Sequence, residues 1–433
     1  MRITVVGAGY VGLTTGACFA HLGHEVLIVE KLKTKVELLS SGKVPIYEPG
    51  LEELINQNLK EKRLSFTREL KEGLDFSEII FICVGTPENP DGSADLSQVE
   101  EVARQCAKIA SGYKLLVEKS TVPINTHKLI KKTLERYSQN SGASFEVASN
   151  PEFLREGSAI EDFLKPDRIV IGVESQRAKE LLSELYKDFD CPIIFTDPST
   201  AELIKHASNS FLATKISFIN MIANLCEKAG ADVKVVADGM GLDKRIGRAF
   251  LNAGLGFGGS CFPKDLKAFI KIAQDYGVDF GLLREVEKIN SLRATHFVQK
   301  VKEVLWSIKD KTLAIWGLSF KPNTDDIREA PSIKVVDLLL KQGANLRLYD
   351  PKAMSNFSRL FPACESIFYA NDKYDALKGA YALLIITEWQ EFESADLEKV
   401  KELLELPIIF DGRNIFDPSK LKQMGFEYYP TGR

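Results

Sequence analysis

From the N-terminus to Thr196, short runs of β-branched and apolar residues alternate with stretches whose apolar positions recur at helical spacing. Ile3–Val6, Glu25–Val29, Ile79–Val84, Leu115–Val117, Glu146–Ala148 and Ile169–Gly172 read as strands. Their continuous apolar character suits parallel strands covered by helices on both faces. Near Thr196-Asp197-Pro198-Ser199-Thr200 the character changes, and the pattern predicts one long helix to about Cys226, with Ser199 or Thr200 as N-cap and Glu202 in the first turn. Leu203, Ile204, Phe211, Leu212, Ile216, Phe218, Ile219, Met221, Ile222 and Leu225 cover more than one side of it. Such a helix should be buried on several sides, between domains or against another subunit. The chain stays mostly helical to Trp306, apart from the Gly-rich Ala253–Ser260. From Lys311 the alternation returns, with strands expected at Thr312–Trp316, Asn345–Tyr349, Leu383–Thr387 and Pro407–Phe410.

The two ends of the chain echo each other. Early on, a strand runs into Gly7-Ala8-Gly9, then a helix, then a strand ending at Glu30; late on, a strand runs into Gly317-Leu318, then a helix, then a strand ending at Asp350. The expected fold is therefore α/β, with two Rossmann-like doubly wound parallel-sheet domains, 1–196 and 307–433, joined by a central helical domain, 197–306. Ligands belong at the carboxyl ends of the strands.

Composition narrows the partners. The 433 residues are 45% hydrophobic and 27% charged, with a formal net charge of −4. No bulk positive field invites nucleic acid or anionic membrane. The strand-like start lacks the features of a secretory signal, and no apolar run approaches the roughly 20 residues that span a bilayer. Seven scattered cysteines without a C-x-x-C pair point to reduced thiols in a cytoplasm, with neither a disulfide framework nor a metal site.

Gly7-Ala8-Gly9-Tyr10-Val11-Gly12 has the spacing of a dinucleotide fingerprint, after a strand, opening a helix, with Glu30 closing the next strand. Gly7 serves the tight turn, Gly9 the approach of the pyrophosphate, and Gly12 the packing of helix on strand. Glu30 would accept from the adenosine ribose and repel a 2′-phosphate, favouring NAD, although Lys31, Lys33 and Lys35 stand close enough in sequence to meet one. Val84-Gly85-Thr86-Pro87 and Ser120-Thr121-Val122-Pro123 occupy matching strand ends that border a dinucleotide in such a sheet; read blandly, each is a turn.

The Gly-rich run continues as Gly258-Gly259-Ser260-Cys261-Phe262-Pro263-Lys264-Asp265. Four glycines in six positions suggest accessible N–H groups for phosphates or sugar hydroxyls. A cysteine at the end of such a loop, with charged neighbours, suits a nucleophile better than a core. Lys205 and Asn209, at i and i+4, share one face of the long helix and together suit an oxyanion. His206, about 100° round the helix, reads as structural. Asn150-Pro151-Glu152-Phe153-Leu154-Arg155-Glu156-Gly157 sets two carboxylates four residues apart, one for a water or proton and one for a ribose, or else simply starts a solvated helix.

With Pro45-Ile46-Tyr47-Glu48-Pro49-Gly50 and Phe320–Arg328, these motifs resemble, in order and over essentially the whole chain, the UDP-glucose 6-dehydrogenase family. The resemblance implies NAD as cofactor, UDP-glucose as substrate, and a four-electron oxidation to UDP-glucuronate with Cys261 as nucleophile. It implies Lys205 and Asn209 on the oxyanion, Asp265 in proton transfer, and Thr121 and Glu152 on the hydrolytic water. Cofactor contacts would come from Gly7, Gly9, Tyr10, Val11, Gly12, Glu30, Lys35, Thr86, Thr121, Glu156, Lys264 and Arg328. The nucleotide-sugar would meet Glu152, Phe153, Leu154, Arg155, Glu156, Lys205, Asn209, Phe250, Leu251, Asn252, Ala253, Gly254, Gly258, Lys321 and Arg413. A homodimer through the long helix is implied, with Arg245 reaching a neighbouring subunit's site.

Four alternatives stand beside this reading. GDP-mannose 6-dehydrogenases share the mechanism and a similar Cys loop, and UDP-N-acetylhexosamine dehydrogenases typically have His where this chain has Ser260. A non-catalytic NAD-binding regulator would not need Cys261, Lys205, Asn209, Asp265 and Glu152. A simple two-electron hydroxyacid dehydrogenase would also leave Cys261 unexplained.

Overall fold

Both predicted sheets form, and each is larger than the sequence pattern suggested. The computed structural model describes residues 1–139 and 142–433, which divide into one unit of residues 1–208 with 267–278 and another of 209–266 with 279–433.

In the first unit, β1 (Arg2–Val6), β2 (Glu25–Val29), β3 (Leu64–Thr67), β4 (Ile79–Ile82), β5 (Tyr113–Glu118), β6 (Ser144–Ser149), β7 (Ile169–Gly172) and β8 (Ile193–Thr196) pair in the order β3-β2-β1-β4-β5-β6-β7-β8. All pairings are parallel except that of β6 with β7. Helices cover both faces, with Leu13, Phe19, Phe81 and Ile171 in one core layer and Ile80, Ile82, Val99 and Leu116 in the other. That is why the central strands are largely apolar, β4 at every position. The order reverses between β1 and β4, so their following loops part and leave a crevice at the strands' carboxyl ends.

In the second unit, β9 (Thr312–Trp316), β10 (Asn345–Tyr349), β11 (Ile367–Tyr369), β12 (Ala382–Ile385), β13 (Ile408–Asp411) and β14 (Glu427–Pro430) pair in parallel in the order β11-β10-β9-β12-β13-β14. This repeats the topology of the first six strands, so the echo read in the sequence is a structural one.

The long helix runs Pro198–Ala229, 32 residues. Its cap is Asp197, not Ser199 or Thr200: the Asp197 carboxylate accepts from Thr200 N at 2.9 Å and from the Thr200 hydroxyl at 2.6 Å, with Pro198 at the first helical position, where its missing N–H costs nothing. Nor is the helix buried all round. Phe211, Phe218, Met221 and Leu225 are exposed in the single chain.

Candidate active site

At the carboxyl end of β1, the fingerprint glycines have distinct structural reasons. Gly7 has φ +101°, a conformation L side chains rarely adopt, and its N–H donates to Val29 O at 2.9 Å. A Cβ on Gly12 would lie 1.9 Å from Gly7 O, so only glycine lets the helix pack on this turn. A Cβ on Gly9 would meet nothing within 4 Å, so the protein's own packing does not require a glycine there. Glu30 Oε2 accepts from Ala8 N at 3.3 Å and Oε1 from Leu32 N at 3.1 Å, with Lys35 Nζ at 3.3 Å. Lys35 thus partners the acidic residue. A cavity of about 420 Å³ opens here, lined by Gly7, Ala8, Gly9, Glu30, Lys35, Val84 and Gly85 among others. The open cradle at Gly9, the helix N-terminus and an acceptor at Glu30 fit an NAD pyrophosphate and ribose.

The equivalent position in the second sheet is closed. Asp350 Oδ2 accepts from Leu318 N (2.7 Å), Ser319 N (3.0 Å) and Trp389 Nε1 (3.1 Å), and Oδ1 accepts from Lys352 N and Ala353 N, both at 2.8 Å. A carboxylate saturated in this way has no acceptor left for a ribose.

The other two strand-end loops of the first unit meet. Thr86 Oγ1 donates to Thr121 O at 2.9 Å, and Ser120 Oγ donates to Val84 O at 2.7 Å. Asn150–Gly157 is an extended loop, not a solvated helix start. Glu152 is buried; its Oε1 accepts from Lys205 Nζ at 3.0 Å and its Oε2 from Leu154 N at 2.6 Å. Arg155 is exposed and bidentate on Asp162. Phe153 stacks beneath Arg168, whose guanidinium is 3.8 Å from the ring centroid. His206 Nε2 lies 2.7 Å from Val122 O, in keeping with a structural role.

Sequence reasoning missed what holds this loop. Glu48, in Pro45–Gly50, accepts from Gly157 N at 2.6 Å and Ala159 N at 2.7 Å, and the Tyr10 hydroxyl bonds to it. Lys119 Nζ donates to Asn150 Oδ1 at 3.0 Å and the Tyr186 hydroxyl donates to the same oxygen at 2.5 Å, while Asn150 Nδ2 donates to Val170 O. Burial pushes the Lys119 ammonium down to about 8. The sequence signal was an isolated Glu between two prolines and a Lys closing an apolar strand, each readable as surface.

In the second unit, the Gly-rich loop is not a rack of accessible amides. Gly254 N donates to Asn220 Oδ1, Phe257 N to Asn290 Oδ1 and Gly259 N to Arg328 O, each at 2.8 Å. Gly254 O accepts from the buried Arg293 Nε at 2.9 Å. A Cβ on Gly258 would lie 2.3 Å from Glu329 O. The glycines therefore serve close backbone packing, and the residues from Ala253 to Gly259 are all buried. Cys261 emerges from this fixed loop exposed, with Ser260 Oγ 3.5 Å from its sulfur, immediately before the helix Phe262–Asp275. Asp265 is buried, its Oδ2 accepting from Asn209 Nδ2 at 2.7 Å and its Oδ1 2.9 Å from Lys264 Nζ.

A cavity of about 380 Å³ in the same unit is lined by Leu251, Asn252 and Ala253 from the loop's start, by Lys234 and Arg248, and by Glu388, Arg413 and Asn414 at the carboxyl ends of β12 and β13. Arg413 is fixed there by Ile386 O (2.7 Å), Gly256 O (3.2 Å) and Glu388 Oε2 (3.2 Å). Gly258 and Lys321 do not line this cavity; Lys321 Nζ lies over the Phe320 ring, 5.4 Å from its centroid. Arg328 forks onto Asp326, and Arg245, highly exposed, onto Asp243.

Comparison with known proteins agrees with both halves. Residues 1–190 match the NAD-binding domain, 199–292 the central domain and 314–418 the UDP-binding domain of the UDP-glucose/GDP-mannose dehydrogenase family. The chain is 46% identical over 432 residues to the UDP-glucose 6-dehydrogenase TuaD of Bacillus subtilis, covering 100% of this chain and 93% of the relative. It is 46% identical over 440 residues to the UDP-glucose 6-dehydrogenase of Rhizobium meliloti, covering all of both. A solved UDP-glucose dehydrogenase from Pyrobaculum islandicum superposes with a TM-score of 0.91 at 40% identity, covering 99% of this chain and 96% of that one. A glycine cradle for a pyrophosphate, an exposed cysteine on a buried loop and a full-length match in all three domains lead to one conclusion: the chain belongs to the UDP-glucose/GDP-mannose dehydrogenase family and is an NAD-dependent dehydrogenase.

Proposed function

We propose that the protein oxidises the C6 alcohol of UDP-glucose to the carboxylate of UDP-glucuronate, with the acyl group held as a thioester on Cys261. The observation that carries this reading is the one exposed thiol set at the end of an otherwise buried glycine loop, four residues before the buried Asp265. NAD, when bound, supplies the electron acceptor for each of two successive two-electron oxidations.

The protein's own groups divide the remaining work. The Cys261 sulfur adds to the C6 aldehyde carbon, forming a C–S bond and moving the carbonyl electron pair onto oxygen. Lys205 and Asn209 are assigned to that oxygen, and a helix N-terminus next to Cys261 favours the thiolate. After the second oxidation water attacks the thioester carbon, the C–S bond breaks, and the thiol is restored. Glu152 and Thr121 are assigned to that water, with Glu152 taking its proton. Asp265, held by Asn209 and Lys264, relays the thiol proton. The uridine diphosphate is assigned to the cavity at Leu251, Asn252, Ala253 and Arg413, with Phe250, Gly254 and Gly258 nearby in sequence; Lys321 is assigned to the same ligand.

The exposed apolar row Phe211, Phe218, Met221 and Leu225 supports a homodimer through the long helix, in which Arg245 would serve the partner. Among the described residues no helix is long and apolar enough to cross a membrane; a cytoplasmic location is proposed from the free thiols.

The test is a panel of UDP-glucose, GDP-mannose and UDP-N-acetylhexosamines followed by NADH absorbance. UDP-glucose should be preferred and yield two NADH per molecule consumed, and Cys261→Ser should abolish UDP-glucuronate formation. A yield of one NADH with free aldehyde, or near-normal turnover by Cys261→Ser, removes the thioester from the mechanism.

A further inference from the structure

The mechanism leaves unused a pair of buried carboxyl groups in the first unit. Glu118 ends β5, three residues before Thr121; Glu202 lies one turn before Lys205 on the long helix. Glu202 is 2% exposed and fully engaged: Oε1 accepts from His127 N at 3.0 Å and lies 2.9 Å from His127 Nδ1, and Oε2 accepts from Asn125 N at 2.5 Å. These bonds fasten the first turns of the long helix to the loop that follows Thr121. Asn125 adds to the joint by accepting from the Ser199 hydroxyl at 2.8 Å.

Glu118 is 1% exposed and lies against the Glu202 carboxylate and the Ser149 hydroxyl, yet neither of its oxygens makes a well-formed hydrogen bond among the described residues. Two carboxylates cannot both be ionised so close together in a buried site without a cation between them. The other titratable groups around the joint do not supply one to Glu118. His127 and His206 bond Glu202 and Val122 O respectively, and Glu174 lies 3.9 Å from His127 Nε2 and is paired with Lys131. Lys119 and Lys205 are turned to Asn150 and Glu152. Cys83, directly after β4, and Glu146, on β6, are the remaining ionisable groups along the flanking strands, and neither is a cation.

We propose that Glu118 and Glu202 hold one proton between them and act as a positioning pair, fixing the Lys205 turn of the helix to the Thr121 loop as long as that proton is present. This rests on the reading of Lys205 and Thr121 given above. Burial, reinforced by the Glu202 charge, pushes the Glu118 carboxyl well above the ordinary value of 4.5. A neutral Glu118 can donate its O–H to Glu202. Once the proton leaves as the pH rises, two negative charges face each other and the joint opens. The helix turn and the loop then lose their register, and catalysis falls with them.

Glu118→Gln separates this from a merely structural role, because glutamine is a fixed copy of the protonated acid: an N–H donor that does not titrate. The measurement is kcat at saturating UDP-glucose and NAD across about pH 6 to 10, a span that covers a raised carboxyl. The native enzyme should lose rate on the alkaline side by about tenfold per pH unit once the pair ionises. Glu118→Gln should match the native rate at neutral pH and keep it within about threefold across that limb. An alkaline limb identical in native and Glu118→Gln proteins overturns the proposal.

Should Glu118→Gln not fold, infrared spectroscopy of the native holoenzyme decides instead. A carboxylic-acid C=O band must be present at neutral pH and vanish on alkaline titration, and its absence overturns the proposal equally. If Cys261→Ser proves active, the thioester reading fails, while the pH profile of Glu118→Gln still stands or falls by itself.

Discussion

Gly9→Ala isolates the ligand's share of the fingerprint from the fold's share. Gly9 has φ −74° and ψ −170°, which alanine adopts freely, and its Cβ would meet no protein atom within 4 Å. Alanine is a poorer N-cap than glycine by a few tenths of a kcal/mol or more, while the stiffer unfolded chain returns about 0.4–1 kcal/mol. Unfolding stability should therefore stay within about 0.5 kcal/mol of native. The dinucleotide meets a different surface. A methyl carbon set about 1.5 Å off Cα pushes a phosphate oxygen back from the helix N-terminus and costs one charged hydrogen bond, about 1.5–3 kcal/mol. That corresponds to an NAD dissociation constant raised roughly 10- to 100-fold. Calorimetric titration with NAD, alongside titration with uridine diphosphate as a control that should not change, measures it. A Gly9→Ala protein that folds normally and binds NAD as the native does would mean that the pyrophosphate does not pass this residue. Gly12→Ala is the contrasting case: its Cβ, 1.9 Å from Gly7 O, should damage the fold itself.

Lys205→Met leaves the buried Glu152 carboxylate without its 3.0 Å cation and should destabilise the first unit by about 3–5 kcal/mol. Adding Glu152→Gln should recover part of this in urea denaturation, and strictly additive losses would deny the coupling. Gly258→Ala drives a methyl to 2.3 Å from Glu329 O; the cysteine loop must shift by about 1 Å, and kcat should fall roughly 100-fold in steady-state assays with NAD affinity kept. Glu118→Gln also predicts a stability trend. The folded pKa of Glu118 lies above the ordinary 4.5, so its stabilising share is complete below that value and is lost as pH rises toward the folded pKa. The melting temperature of Glu118→Gln relative to native should therefore climb from about pH 5 upward, and a constant difference between the two scans would contradict the assigned burial cost.

Sequence legibility followed how local each cause was. The turn at Gly7 and the packing at Gly12 were readable because both causes lie within six residues. The interior strands were readable because both faces are covered. Leu64–Thr67, Ile193–Thr196, Ile367–Tyr369 and Glu427–Pro430 were not predicted, because each lies at or next to a sheet edge, where only part of the strand needs to be apolar. The helix cap was misplaced by two or three residues because Ser199 and Thr200 also have capping side chains. The glycine loop drew attention to Cys261 for a partly wrong reason: its amides serve Asn220, Asn290 and Arg328, partners far away in sequence. The buried partners of Glu48, Lys119, Glu118 and Glu202 went unread for the same cause, since a buried charge declares itself only when its distant partner is known.

The way the thiols are distributed has a practical consequence. Cys18, Cys83 and Cys106 are buried and pushed up to about 12, Cys226 is buried and Cys191 half-buried. A mild alkylating reagent therefore meets two sulfurs in the folded chain, Cys261 and Cys364. With Cys364 changed to serine, the protein becomes a single-handle reagent, able to carry a fluorophore or crosslinker on the thiol proposed as the nucleophile without any cysteine being introduced.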